Sequence, residues 1–168
     1  MKPDKLYLVG FMSAGKTSAA SLLADALSWQ SEDIDELVEA RERLTVAEIF
    51  ARFGEPYFRS AEREILRVLL PLRQTVVATG GGTFVDPDNR TAINLDGLSI
   101  WLDVPFPEIL SRLPADGRRP LAADVSQLER LYHLRRTAYE QAHLRIDAAG
   151  ATPPEIVQQI LHALPGSL

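Results

Sequence analysis

The chain has 168 residues, 46% of them apolar and 24% charged, with a formal net charge of −5 and no cysteine. That composition fits one compact domain over residues 1–168 with a full core, and it excludes a disulfide framework and a thiolate metal site. The negative charge argues against a protein that coats nucleic acid, and no apolar run approaches the roughly 20 residues a membrane span needs.

Met1–Leu8 runs straight into a first strand with no signal-peptide pattern ahead of it. Together with the absence of cysteine, this reads as a protein of a reducing, cytoplasmic compartment, without a membrane partner, and it is taken as a monomer. Apolar β-type segments then alternate with amphipathic helical ones, which predicts an α/β fold with a parallel sheet. Leu6–Val9 reads as a buried strand, followed by a glycine-containing turn and a helix over Thr17–Leu27. Trp29–Asp33 reads as a polar second strand and Ile34–Arg43 as a helix. Thr45-Val-Ala-Glu48 is a capping box for a helix over Val46–Arg52, and Pro56 suits the first turn of a helix that runs to Leu70, where Pro71 stops it. Thr75–Thr79 is a strand, Asn89–Asn94 a short helix, Ser99–Leu102 a strand and Pro107–Leu113 a helix. The Pro/Gly/Arg composition of about 114–124 predicts a lid loop. Ser126–Ala142 reads as a long helix and Leu144–Asp147 as a last strand. Thr152-Pro-Pro-Glu155 opens the final helix with another capping box.

Gly10-Phe-Met-Ser-Ala-Gly15-Lys16-Thr17 matches GxxxxGK[ST], the loop whose backbone N–H groups cradle phosphates. Gly10, Ser13, Ala14, Gly15, Lys16, Thr17 and Ser18 are therefore candidates for holding a nucleotide. Lys16 would reach the β- and γ-phosphates and the Thr17 hydroxyl would serve Mg²⁺. The motif sits between an apolar strand and an amphipathic helix, as its mechanism requires. The Asn-Lys-x-Asp base-reading pattern of GTPases is absent, and Asp147-Ala-Ala-Gly150 lies too late in the chain to be a switch.

Asp33 and Asp35 follow the second strand, two residues apart, where they would point into a ligand crevice or else cap the next helix as a solvated turn. Arg59 and Glu62 share a helix face, as a carboxylate-gripping arginine held by its partner or as a surface salt bridge. Gly80, Gly81 and Gly82 end a strand, which implies close approach of something to the backbone, or a flexible turn. Arg119 in Gly117-Arg-Arg-Pro-Leu121 is either a lid arginine that meets phosphoryl charge or part of an exposed basic loop. His133, His143 and His162 do not form a metal-ligand spacing.

In order along the chain, GFMSAGKT, DID, FGEPYFRSAE, ATGGG, GRRPL and RRTAYEQAH resemble the shikimate kinase family. The resemblance implies phosphoryl transfer from ATP, with Mg²⁺, to the 3-hydroxyl of shikimate. It also implies a three-layer sandwich: a five-stranded parallel sheet with helices on both faces, as in nucleoside monophosphate kinases. By the same resemblance Lys16, Asp35 and Arg119 would be catalytic, with Asp35 as the base. Thr17 and Asp33 would serve the metal. Asp35, Arg59, Gly80, Gly81, Gly82 and Arg135 would bind shikimate, with Arg136 as the alternative to Arg135. Arg112 and Pro153 would flank adenine, and Glu62 would hold Arg59. The rival readings are a kinase for another small acid such as gluconate, and a P-loop nucleotide-binding protein without acceptor chemistry.

Overall fold

A computed structural model describes residues 2–113 and 125–166. Five strands form one sheet: β1 (Lys5–Val9), β2 (Gln30–Asp33), β3 (Thr75–Ala78), β4 (Leu98–Asp103) and β5 (Leu144–Asp147). Their spatial order is β2-β3-β1-β4-β5, and every pair is parallel. β1 reads Lys-Leu-Tyr-Leu-Val and is buried throughout, as a central parallel strand covered on both sides must be. β2 reads Gln-Ser-Glu-Asp because it is an edge strand, and its first two residues are exposed.

The helices are α1 (Lys16–Leu27), α2 (Ile34–Glu42), α3 (Val46–Phe53), α4 (Glu55–Leu69), α5 (Pro87–Asp96), α6 (Phe106–Arg112), α7 (Val125–Tyr139) and α8 (Pro153–Ala163). The crossover from β1 to β2 moves one way across the sheet and the other three move the opposite way. Right-handed crossovers therefore put α1 on one face and α2–α7 on the other, and α8 packs beside α1. This is the three-layer arrangement that the alternating pattern implies.

Local chemistry sets the helix boundaries. The capping box at α3 is complete: the Thr45 hydroxyl accepts from Glu48 N–H at 3.1 Å, and the Glu48 carboxylate accepts from Thr45 N–H at 3.3 Å. At α8, Thr152 accepts from Glu155 N–H at 3.4 Å. α5 begins at Pro87, two residues before the expected Asn89, because Asp86 caps it by accepting from the amides of Asp88 and Asn89 and Pro87 supplies the first turn. α7 ends at Tyr139, three residues short of the expected Ala142.

The topology fixes where a ligand can sit. Crossovers leave β1 and β3 in opposite directions, so a crevice opens between their carboxyl ends. Leu8 pairs with Ala78 and Asp33 also pairs with Ala78, which places the three on one rung of the sheet. Gly10, Gly80 and Asp35 each lie two residues beyond that rung.

Candidate active site

The turn after β1 has the backbone of an anion cradle. Gly10 has φ +148° and Gly15 φ +92°, both in the region that favours glycine. Gly10 also lacks room for a side chain, since a Cβ there would come within 2.9 Å of the Leu102 carbonyl oxygen. Ser13 adopts φ +61°, a left-handed conformation uncommon for a residue with a side chain. Gly15 then leads into α1, so the first free amides of that helix face the turn. Lys16 is only 8% exposed; its ammonium donates to the Gly10 and Phe11 carbonyl oxygens at 2.6 and 2.8 Å.

A cavity of about 290 Å³ opens above this turn, lined by residues 12–18 together with Asp33, Asp35, Thr79, Gly81 and Arg112. On its wall the Thr17 hydroxyl donates to Asp33 Oδ2 at 2.5 Å, while Asp33 Oδ1 caps α2 by accepting from Glu36 N–H at 3.0 Å. Asp33 thus both caps the helix and lines the cavity. Arg112 donates to the Ser13 carbonyl at 3.2 Å and pairs with Glu108 at 2.5 Å. The second oxygen of Glu108 accepts the Gly150 amide at 2.8 Å, which ties α6 to the turn before α8. Pro153, at the first turn of α8, is exposed.

The three glycines after β3 do separate jobs, shown by what a Cβ would strike. At Gly80 it would lie 2.7 Å from an Asp35 carboxylate oxygen. At Gly81 it would lie 3.2 Å from an Arg135 guanidinium nitrogen, and at Gly82 2.5 Å from two nitrogens of Arg59. Gly82 has φ −105°, which any residue adopts, so glycine stands there for space rather than for backbone freedom. Two guanidinium groups and a carboxylate from three different helices thus abut one tripeptide.

Arg59, on α4, is 19% exposed and donates from Nη1 to both oxygens of Glu62 at 3.2 Å. Glu62 is fully buried, 0% exposed, and also accepts from the Thr83 hydroxyl at 2.8 Å. Burial pushes the Glu62 pKa above the usual carboxylate range, against the opposing pull of Arg59 and Thr83. Arg135 on α7 is 6% exposed and lies over the Phe11 ring, 5.8 Å from its centroid. Burial lowers its pKa, and Arg59 is near enough to repel it.

Its neighbour Arg136 faces elsewhere, donating to Asp103 at 2.7 and 3.3 Å. Of this pair it is Arg135 that stands at the glycine loop, while Arg136 lies against Asp103. Tyr139 reaches the same loop and donates to the Gly81 carbonyl at 2.5 Å. Its spacing from Arg135 is visible in the sequence, but its partner is not. Thr83 and Glu108 carry no sequence signal of this kind. Arg119 and the lid expected over 114–124 lie outside the described residues.

A P-loop, two carboxylates and two arginines around one glycine tripeptide match the order of motifs seen in the sequence. The shikimate kinase family profile matches residues 12–165. The chain belongs to the shikimate kinase family. A shikimate kinase of Synechococcus elongatus is 42% identical over 167 residues, covering 97% of this chain and 87% of that protein. The structure of a shikimate kinase from Acinetobacter baumannii in complex with shikimate superposes with a TM-score of 0.91 at 32% identity, covering 95% of this chain and 91% of that one. The shikimate kinase of Aquifex aeolicus gives 0.85 at 33% identity, with 94% of each chain covered. The five-stranded parallel sheet and its flanking helices are those of the shikimate kinase family, and the chain is an ATP-dependent kinase. Among the described residues no helix is long and apolar enough to cross a membrane.

Proposed function

We propose that the chain, as one kinase domain over residues 1–168, transfers the γ-phosphoryl group of ATP to the 3-hydroxyl of shikimate, giving shikimate 3-phosphate and ADP. The observation that carries this reading is the glycine tripeptide Gly80–Gly82. It abuts Asp35, Arg135 and Arg59 in turn, while Asp35 and Gly81 line the same cavity as Lys16.

The P-loop amides and the amino end of α1 hold the triphosphate. Lys16 exchanges its bonds to the Gly10 and Phe11 carbonyls for phosphate oxygens. Arg59 and Arg135 take the shikimate carboxylate from two directions, which fixes the ring as well as binding it. With the ring so held, the 3-hydroxyl faces Asp35. Its oxygen bonds to the γ-phosphorus as the bond to the β,γ-bridging oxygen breaks; the hydroxyl proton passes to the Asp35 carboxylate and ADP leaves. Thr17 and Asp33 offer hard oxygen donors at one point of the cavity wall and would hold Mg²⁺, directly or through water. The metal's chemistry is to neutralise charge on the phosphates. Arg112 and Pro153 are assigned to adenine, supported by the Arg112 contact with the P-loop. Arg119 is assigned to the phosphates on its motif alone. Absence of cysteine supports a cytoplasmic setting.

A coupled ADP-release assay with shikimate and gluconate side by side tests the acceptor. Turnover with shikimate and none with gluconate is expected; the reverse would overturn the reading.

A further inference from the structure

Glu62 is the buried group on which the arginine grip depends, and its surroundings define a specific problem. A carboxylate with no solvent exposure stays ionised only if enough donors face it. From its own helix it receives Arg59 Nη1 at 3.2 Å. From α2 comes Asp35, a like charge that pushes its pKa further up. Arg135 on α7 faces the same loop through Gly81. From the short helical turn Thr83–Val85 comes the Thr83 hydroxyl at 2.8 Å.

A threonine hydroxyl has one proton to give and two lone pairs to receive. The Gly80 amide donates to Thr83 Oγ1 at 2.9 Å. That bond occupies a lone pair and leaves the hydroxyl proton to point at Glu62 Oε2. The direction of the Thr83–Glu62 bond is thus set by the backbone of the glycine loop itself. A protonated Glu62 would carry its own hydrogen, would compete with Thr83 as a donor and would lose its ion pair with Arg59.

We propose that Thr83 is a positioning residue for acceptor binding: oriented by the Gly80 amide, its hydroxyl keeps buried Glu62 ionised, and Glu62 in turn holds Arg59 against Gly82 for the acceptor carboxylate. This rests on the reading that Arg59 grips that carboxylate. Removing the hydroxyl takes one of the few donors from Glu62 and leaves the Gly80 amide without its acceptor. Glu62 then protonates at a higher pH than in the parent protein, and the loss of acceptor affinity on acidification sets in at a higher pH.

The test compares Thr83→Val, Thr83→Ala and Thr83→Ser with the parent, measuring KM for shikimate and for ATP between about pH 6 and pH 8. Val preserves the shape, and Ala serves where the extra methyl disturbs folding. Both are expected to raise the shikimate KM about tenfold near neutral pH and to leave the ATP KM unchanged. The excess should grow as the pH falls, and Ser should restore the parent profile. Glu62→Gln, which imitates the protonated carboxyl, should show the raised KM at every pH. A shikimate KM unaltered by Val and Ala, a parallel rise in both KM values, or failure of Ser to restore would overturn the role of Thr83. Arg59→Ala separates the two levels. If it raises the shikimate KM while the Thr83 variants do nothing, only the inference about Thr83 falls; if Arg59→Ala changes nothing, the arginine grip falls and this inference with it.

Discussion

At the amino end of the sheet, a buried lysine is closed into a knot of ion pairs and hydrogen bonds; at the carboxyl end, two arginines stand against a glycine loop whose Gly81 lines the cavity. Lys5, the first residue of β1, is fully buried and pairs with Asp96 at 3.2 Å while donating to the Leu69 and Leu70 carbonyls at the end of α4. Tyr7 donates to Asp96 at 2.5 Å, and Arg73 reaches its other oxygen at 2.5 Å. Burial works against the Asp96 carboxylate, but the bonds from Tyr7, Arg73 and Lys5 together outweigh it and hold its pKa below the usual range. At the other end, Arg59 and Arg135 stand close enough to repel each other, beside glycines that leave them open space. Arg59 pairs with Glu55 and Glu62 on its own helix, and under the proposed function an incoming carboxylate would join the two arginines. If the closed knot serves stability and the open one the proposed binding, changes at the two ends should separate those properties.

The largest effect is expected from Asp35→Asn. It should lower kcat by about 10²–10⁴ with little change in nucleotide affinity, read from steady-state kinetics beside nucleotide titration. Next comes Gly82→Ala. Its Cβ would occupy the place of the Arg59 guanidinium, which is the mobile end of a long side chain, so the arginine yields and the fold does not. The shikimate KM should rise about 10- to 100-fold while the melting temperature holds. Lys5→Met at the closed end should do the opposite, costing about 3 kcal/mol in a denaturant titration and leaving both KM values unchanged.

A smaller effect separates stability from binding by pH. Asp86, Asp96 and Asp103 all have pKa values held below 3.8, because the arginines, amides and, for Asp96, Tyr7 and Lys5 around them outweigh the upward push of burial. Their contribution to stability is present above the unfolded carboxylate pKa and is lost as the pH falls through their lower folded values. Glu62 moves the other way, with its folded pKa raised above 4.5 by burial, so it protonates first. On acidification shikimate affinity should therefore weaken at a pH where circular dichroism still reports a folded protein. Simultaneous loss of both would contradict that separation.

Much of this was legible in the sequence, for physical reasons that also mark the limit. The P-loop and the strand-ending glycines carry their conformational and spatial needs in their residue types, so Gly10–Thr17 and Gly80–Gly82 could be placed before any coordinates. The capping box at Thr45 and the prolines that open helices work over a few residues and were equally readable. The cap of α5 is equally local, since Asp86 and Pro87 are adjacent in the chain. The direction in which Arg136 points is not readable from spacing, because it depends on Asp103, more than 30 residues away in the chain. Thr83 and Tyr139 are likewise defined by partners on distant elements, Glu62 and the Gly81 carbonyl. β2 gave a weak signal because an edge strand does not need an apolar face on both sides.

A crystal structure of the chain with shikimate, Mg²⁺ and a non-hydrolysable ATP analogue tests the central claim most directly. The shikimate carboxylate is expected between Arg59 and Arg135, its 3-hydroxyl against Asp35, and the terminal phosphate of the analogue on Lys16. Shikimate bound away from Gly80–Gly82, or with its carboxylate remote from both arginines, would contradict the account.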